Sequence, residues 1–594
     1  MARTKTRRAP RSSPAIDAPG GSPPFSLGRP ATFGFAAAIL VAFAVLSVFS
    51  YTQKSATWDE PLHLAHGYAA LTRHDFRVDP GHPPLMRMLA ALPLLAVPSV
   101  TVETSTIDET APIDWRPSGQ SNLGHRFLYR DNDADRLLYR ARFMSVMAGV
   151  LLGLLVFFWA QEWLGSGAAL LALAFTVFEP NIAAHFSLVT TDAAFTCFAF
   201  GTIYFLWRAG NRFDAANIGG CAVLLGMAVA TKFTALVLGP IIVALLLVSV
   251  FWLRTMSPRQ ACLFAGVLAV TAWCAIWAAY GFRYAPGPMD TWLFRYHEDP
   301  SVLERVPAVL QLVKWIDERH LLPNAFSQGI LITQAYAQVR YAFLAGAYSD
   351  TGWWYFFPVA ILIKTPVSLL ALAGSGLLHV RNASTRNGAA VVFVLVPILV
   401  FLVAAMASRI NIGLRHVLMV YPFLALLAAF ACKALLERKR GAIVVAAVAI
   451  WSLEFGRVYP DMLAFFNALV GGPAHGAEYL VDSSLDWGQD LKPLKRWMDD
   501  KGLTEINLAY FGSADPAYYG IQPVYLPGSE SYVPIEQIKA PRLPGYVAIS
   551  ATLLTGVLVD ESRRDFYKPL LARTPEAIIG HSINVYWIDR PWWN

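Results

Sequence analysis

The sequence predicts an all-α polytopic membrane protein of about eleven transmembrane helices that ends in a small soluble α/β domain. Three observations predict this. First, the 594-residue chain is 56% hydrophobic and only 15% charged, with a mean hydropathy of +0.44. A soluble chain of that length would divide into domains with charged surfaces. Second, apolar runs recur along it, each near the roughly 20 residues that a spanning helix needs. Third, the pattern changes after residue 456. There "INLAYFG", "YVAIS" and "INVYWID" read as short strands, and "DLKPLKRWMDDKG" has a helical period closed by glycine.

The elements follow in order. Residues 1–29 are rich in Pro, Ser, Arg and Gly without an apolar period, which predicts a disordered basic tail. Arg3, Lys5, Arg7, Arg8 and Arg11 place that tail in the cytoplasm by the positive-inside rule. The domain that crosses the membrane is expected over 30–456. Its first run, 31–51, is too long and too late for a cleaved signal peptide and is expected to be retained. A first external loop is expected over 52–141, with an interfacial helix over 83–97. Further helices are expected over 143–163, from a Gly165-Ser166-Gly167 turn to Phe178, over 187–207, 216–230, 234–253 and 261–281. A second external segment follows over 282–352, then a helix over 353–378, two helices flanking an external turn from Ser408 to Arg415, and a last helix over 441–456. Residues 457–594 are expected outside as the α/β domain. Every cytoplasmic turn in this alternation except the tight one after the second helix carries Arg or Lys, among them Arg208, Arg212, Arg254, Arg259, Lys433 and Arg438.

Charge and cysteine content narrow the functional classes. The formal net charge is +7, but the basic residues lie mainly in short loops and the amino-terminal tail, so no nucleic-acid surface is expected. All five cysteines lie in or at the ends of apolar runs, which leaves neither a disulfide framework nor a cysteine metal spacing.

Three charged groups are expected on the external face at membrane depth or just above it. The first is Asp59 and Glu60 after the first run, with His63 and His66. On a helix Asp59, His63 and His66 share a face. The plain reading of Asp59 or Glu60 is a helix cap; the sharper one is a carboxylate that removes a proton. His63 and His66 are candidate metal ligands, and the need for a divalent metal is open. The second group is His185 and Asp192 in "NIAAHFSLVTTDAAF". An ionisable residue inside an apolar run is costly and marks a candidate site. The third is basic: Lys232, Arg409 and Arg415, joined by His82 and Arg87 of "DPGHPPLMRM". Together these groups offer carboxylates for proton removal, cations for a phosphate and apolar walls for a lipid. That set suits sugar transfer from a lipid phosphate, because cations stabilise the leaving phosphate and the acceptor hydroxyl needs one base. A carrier that moves a lipid-linked sugar is the alternative. It is disfavoured because the polar residues gather at one face and not at the midplane, and because no inverted repeat is visible.

"WDEPLHLAHGY", "DFRVDPGHPPL", "FEPNIAAHFSLVTTD", "ATKFTAL", "RINIGLRHVLMVYPF" and "DSSLDWGQDL…AYFGSADPAYYGI" resemble the bacterial branch of the polytopic C-fold glycosyltransferases. That branch is similar to the protein O-mannosyltransferases and to the aminoarabinose transferases that modify lipid A. The resemblance covers all but about the first 30 residues. It implies an inverting transferase of the bacterial inner membrane that takes a polyprenyl-phosphate-linked sugar on the external face. It also implies a basic or acceptor-orienting role for Asp59 with Glu60 beside it, a second acidic role for Asp192, and donor-phosphate contacts near Pro83-Pro84-Leu85. The aminoarabinose transferases often carry Lys before those prolines, where this chain has His82. The tail does not resemble the β-trefoil domain of eukaryotic protein mannosyltransferases, so the acceptor, whether protein, lipid or glycan, is left open.

Overall fold

The computed structural model describes residues 28–104, 122–287, 292–379, 385–529, 533–559 and 561–593. The predicted amino-terminal tail therefore lies outside the described residues apart from its last two positions. Each apolar run folds as helix: α1 (Arg29–Thr52), α4 (Ala134–Leu164), α5 (Ser166–Val177), α6 (Thr191–Asn211), α7 (Ala215–Val229), α8 (Leu238–Leu247), α9 (Pro258–Ala279), the pair α12 (Phe356–Lys364) and α13 (Val367–His379), α14 (Thr385–Met406), α15 (Tyr421–Glu437) and α16 (Gly441–Val458). Between them lie α2 (Glu60–Arg73) and α3 (Leu85–Ala91) in the first loop, and α10 (Pro307–Glu318) and α11 (Asn324–Tyr336) in the second. Among the described residues, seven helices are long and apolar enough to cross a bilayer, or eight if a bent pair counts as one span. The others have physical reasons for falling short. α5 and α7 are short. α6 is long enough but its composition is too polar, with Thr191, Asp192, Thr196 and Thr202 buried inside the bundle.

Two expectations change in detail. The second spanning helix begins at Ala134 and not near 143, because Asp133 caps it by accepting from Arg136 N at 3.1 Å. The single helix expected over 353–378 is broken, its halves meeting at 115°. Pro366 has no N–H to give and ends the helical ladder there. A break at membrane depth frees carbonyls that lipid cannot satisfy, and two asparagines take them. Asn467 donates its side-chain amide to the carbonyls of Leu362 and Thr365 and its backbone N–H to that of Ile363, while Asn181 reaches the carbonyl of Lys364.

In the carboxy-terminal region α17 (Leu491–Asp500) precedes a five-stranded mixed sheet. Besides a small hairpin of β1 (Ala342–Leu344) and β2 (Ala347–Ser349), the strands are β3 (Glu505–Ala509), β4 (Gln522–Tyr525), β5 (Gly545–Ser550), β6 (Ala577–Ile579) and β7 (Ile583–Ile588). Their order is β4-β3-β5-β7-β6, with β3 parallel to both neighbours and β7 antiparallel to both of its own. This region is docked on the first loop. Trp58 N donates to Trp487 O at 3.0 Å, Ser55 N to Gln489 O at 2.9 Å, and the Lys54 ammonium pairs with Asp490 at 2.5 Å and with Asp461. Trp58 also stacks on Phe511 with ring centroids 5.0 Å apart.

Candidate functional site

Asp59 and Glu60 are neighbours in sequence that serve different partners. Asp59 occupies the position before the first turn of α2 but makes no capping hydrogen bond. Its carboxylate turns instead to Arg415, whose guanidinium donates to Oδ2 at 2.9 Å. Glu60 turns into the protein and is wholly buried. Arg142 of α4 grips it with two hydrogen bonds of 2.8 and 2.6 Å. Thr57 N, Thr57 Oγ1 and Val189 N also donate to it, at 2.7, 3.0 and 2.9 Å. Five donors occupy its lone pairs, so the carboxylate sits below its usual pKa although burial alone would raise it. Glu60 ties α2, α4 and the start of α6 together, and no free lone pair faces the cleft.

Asp192 comes from the other side. Thr190 caps α6, and Asp192 lies in its first turn, where the helix dipole favours a carboxylate. Its Oδ1 pairs with the Lys232 ammonium, and its Oδ2 lies 3.5 Å from the same guanidinium nitrogen of Arg415 that binds Asp59. Arg415 thus bridges two carboxylates that are far apart in sequence. It is set in place by a close backbone approach. A Cβ on Gly413 would lie 2.2 Å from Ser483 Oγ, which would have to turn away from the Ile412 carbonyl it donates to, so glycine lets this turn seat closely against the carboxy-terminal segment. The guanidinium lies over the ring of Trp487 at 4.2 Å from its centroid, which adds a cation–π contact to the pair of anions.

Asp59 keeps about a fifth of its side chain exposed. It lines a cleft with Trp58, His63, Asp79, His82 and Ser513. Burial works to raise its carboxyl, but the charge of Arg415 and the hydrogen bond it donates outweigh burial and hold it below the usual range. The His82 ring stands 5.5 Å from that of His63, with Nδ1 3.7 Å from Asp79 Oδ2. Arg87 is buried and committed to the same loop. It donates to Asp79 O at 3.0 Å and to the Asp79 carboxylate, and Asp79 also accepts from Gly81 N at 2.7 Å. Arg87 therefore shapes the His82 loop from behind.

The other sequence candidates separate. His63 Nδ1 lies 3.0 Å from Val189 O, and burial pushes its pKa down to about 3, so it is neutral. His66 is buried with neither ring nitrogen hydrogen-bonded. Among the described residues no group of three or more His, Cys, Asp or Glu side chains is arranged to hold a metal ion. His185 is buried with its ring 6.1 Å from that of Trp487. Arg409 is exposed and donates to Gln338 O at 3.3 Å, apart from the Lys232–Arg415 group. Sequence reasoning passed over four residues of this region. Arg142 and Trp487 are two of them. Asp79 is the third. Asp482 is the fourth, a carboxyl that burial raises although Arg415 and Arg340 pull it down. The signal for Arg142 was available: an arginine at the head of an apolar run needs a partner.

Comparison with known proteins gives one family likeness, likenesses to solved structures and one blank. Residues 136–277, which hold Arg142, Asp192 and Lys232 but not Asp59 or Arg415, match the model of the dolichyl-phosphate-mannose-protein mannosyltransferase family. No curated protein sequence matches the chain. Among solved structures, ArnT from Cupriavidus metallidurans bound to undecaprenyl phosphate is similar at 12% identity and a TM-score of 0.47, covering 93% of this chain and 97% of that one. An Archaeoglobus fulgidus oligosaccharyltransferase without ligand is similar at 12% identity and a TM-score of 0.43, over 70% of this chain and 52% of that one. The S. cerevisiae Pmt1–Pmt2 complex bound to its sugar donor is similar at 16% identity and a TM-score of 0.33, over 43% and 33% of the two chains.

Proposed function

We propose that this chain is an integral-membrane glycosyltransferase that moves a sugar from a polyprenyl-phosphate carrier to an acceptor hydroxyl on the external face, with inversion at the anomeric carbon. The observation that carries the reading is the shared guanidinium. Arg415 joins Asp59 at the cleft to Asp192 and its partner Lys232, so a potential base and two cations lie side by side. The family whose model matches residues 136–277 is described by a sugar carried on a polyprenol-type phosphate, which agrees with that chemistry.

The step balances with these groups alone. Asp59 takes the proton of the acceptor hydroxyl. The acceptor oxygen bonds to the anomeric carbon as the bond from that carbon to the phosphate oxygen breaks. The lipid phosphate leaves as a dianion between Arg415 and Lys232. Charge on the phosphate grows in the transition state, so these cations stabilise it more than the bound diester. A phosphate entering beside Arg415 also competes with Asp59 for its guanidinium, which frees the carboxylate and raises its basicity when the donor is in place. His82 stands on the same cleft wall as a neutral hydrogen-bonding group. Glu60, with its lone pairs occupied, positions the backbone that carries Asp59.

The test is transfer from a polyprenyl-phosphate sugar by the protein reconstituted in liposomes, read as released polyprenyl phosphate. Asp59→Asn keeps the shape but removes the base and should lower kcat by at least about 10²-fold, the scale of a lost general base, with an unchanged melting profile. Lys232→Met should lower kcat as well as weaken donor binding. Near-normal turnover in Asp59→Asn would end the assignment. Movement of donor across the bilayer without its consumption would mark the chain as a carrier.

A further inference from the structure

Helix α10 divides its surface into three sectors. Val306 just before it, with Leu310 and Val313, faces inward on Leu331, Ile332 and Ala335 of α11. Gln311, Lys314 and Glu318 form a polar flank. The third sector is apolar and bare. Leu312 is 56% and Trp315 49% exposed, and Leu321 beyond the helix end is 37% exposed. Leu312 and Trp315 follow the helical spacing of one face, with Arg319 one turn further on, its guanidinium over the Trp315 ring at 5.1 Å.

This face continues a surface that already meets lipid. α9 is a spanning helix of which only 22% of the apolar stretch is buried, and Leu263, Val270 and Trp273 run along its bare side. At its outer end Trp273 and Trp277 donate their indole N–H groups to Leu321 O at 2.8 and 3.2 Å. Tryptophans at the end of a span mark the headgroup level, and here they hold the end of the α10 segment at that level.

We propose that α10 is a surface helix that lies on the outer leaflet, with Leu312, Trp315 and Leu321 inserted among the lipids, Arg319 at the phosphates, and the Lys314–Glu318 flank in water. An amphipathic helix with a tryptophan and a cation beside its apolar face has the composition for that position. The anchor bears on the cleft. A Cβ on Gly329 of α11 would lie 2.1 Å from Pro80 O, and Thr333 Oγ1 donates to Gly81 O at 3.2 Å. The membrane-docked hairpin therefore braces the loop that carries His82.

Nitroxide labels at Leu312→Cys and, separately, Glu318→Cys test it, in a Cys262→Ala, Cys274→Ala background and in nanodiscs of phosphatidylethanolamine and phosphatidylglycerol. Both labelled positions are exposed, so the fold does not depend on either side chain. Collisions with oxygen, which concentrates in lipid, are compared with collisions with a water-soluble nickel chelate. The ratio of oxygen to nickel collisions should be several-fold higher at 312 than at 318. Equal ratios would overturn the proposal. A label at 312 that is shielded from both reagents only when two copies share a disc would also overturn it and give the face to a second copy of the chain.

Discussion

At the scale of single residues, the pair Asp59–Glu60 shows how adjacency in sequence misleads. Both are acidic, both flank the start of α2, and the motif treats them as one feature. The helix turns them apart, one to Arg415 and the cleft, the other to Arg142 and the interior. The consequences of removing each charge should differ in kind. Glu60→Gln leaves Arg142 buried against a neutral amide that can accept only part of what the carboxylate accepted. Stripping one partner from a buried ion pair costs about 3–5 kcal/mol. The expected result is a large fall in Tm with a proportionate loss of folded protein, while the correctly folded fraction keeps its kcat. Asp59→Asn should show the reverse, an intact melting profile with turnover lost. Thermal unfolding and active-fraction titration on the two variants decide between these roles, and matching profiles would merge them again.

At the scale of elements, the carboxy-terminal segment from Asp482 to Asp490 is the part least like a soluble domain's surface. It is buried between the first loop and the sheet. Asp486 accepts from Thr552 N at 2.9 Å through one oxygen, and its other oxygen has no partner. Burial pushes its pKa up to about 7. The folded chain then keeps a proton that the unfolded chain releases above the ordinary value of 3.8. A stability cost therefore builds as pH rises from about 4 to about 7 and is constant above. Asp486→Asn carries no charge to bury. It should melt higher than the native chain at pH 8, by an amount worth a few kcal/mol at about 1.4 kcal/mol per pKa unit, and the gain should vanish as pH falls to 4. A pH-independent difference in Tm would mean that burial does not raise the Asp486 carboxyl. The elements themselves were legible unevenly. Apolar runs and the strands "YVAIS" and "INVYWID" follow from local composition and fold as read. The 115° break at Pro366 had a local signal in Lys364-Thr365-Pro366, which the length of the surrounding apolar run outweighed, and the partners that satisfy it, Asn181 and Asn467, are distant in sequence.

At the scale of the molecule, the candidate site was legible as a set of residue types and only partly as a set of places. Asp59, Asp192, Lys232 and Arg415 do converge, because costly charges near apolar runs must find one another. Arg87 and Arg409 drew notice for the same reason, yet one is spent on Asp79 and the other is exposed, and only the tertiary structure separates these cases. The convergence also makes the topology testable as a whole. Trp487 lies against Arg415, so the carboxy-terminal region and the site occupy the same side of the bundle. The apolar segment that starts beside Arg415 runs from Leu414 to Glu437, 24 residues, as a 3₁₀ stretch to Val420 followed by α15, and it is long enough to cross a bilayer. Arg438, Lys439 and Arg440 thus sit a full membrane thickness from the site. Basic residues at a helix end favour the cytoplasm, and on that rule the proposed function has Asp59 and Arg415 outside. A phosphatase that is active only outside the cytoplasm should be active when fused after Asn594 and silent when fused after Arg438. Activity at both positions would mean that this helix does not span. The opposite pattern would place the site in the cytoplasm, where a donor presented on the external leaflet could not reach it.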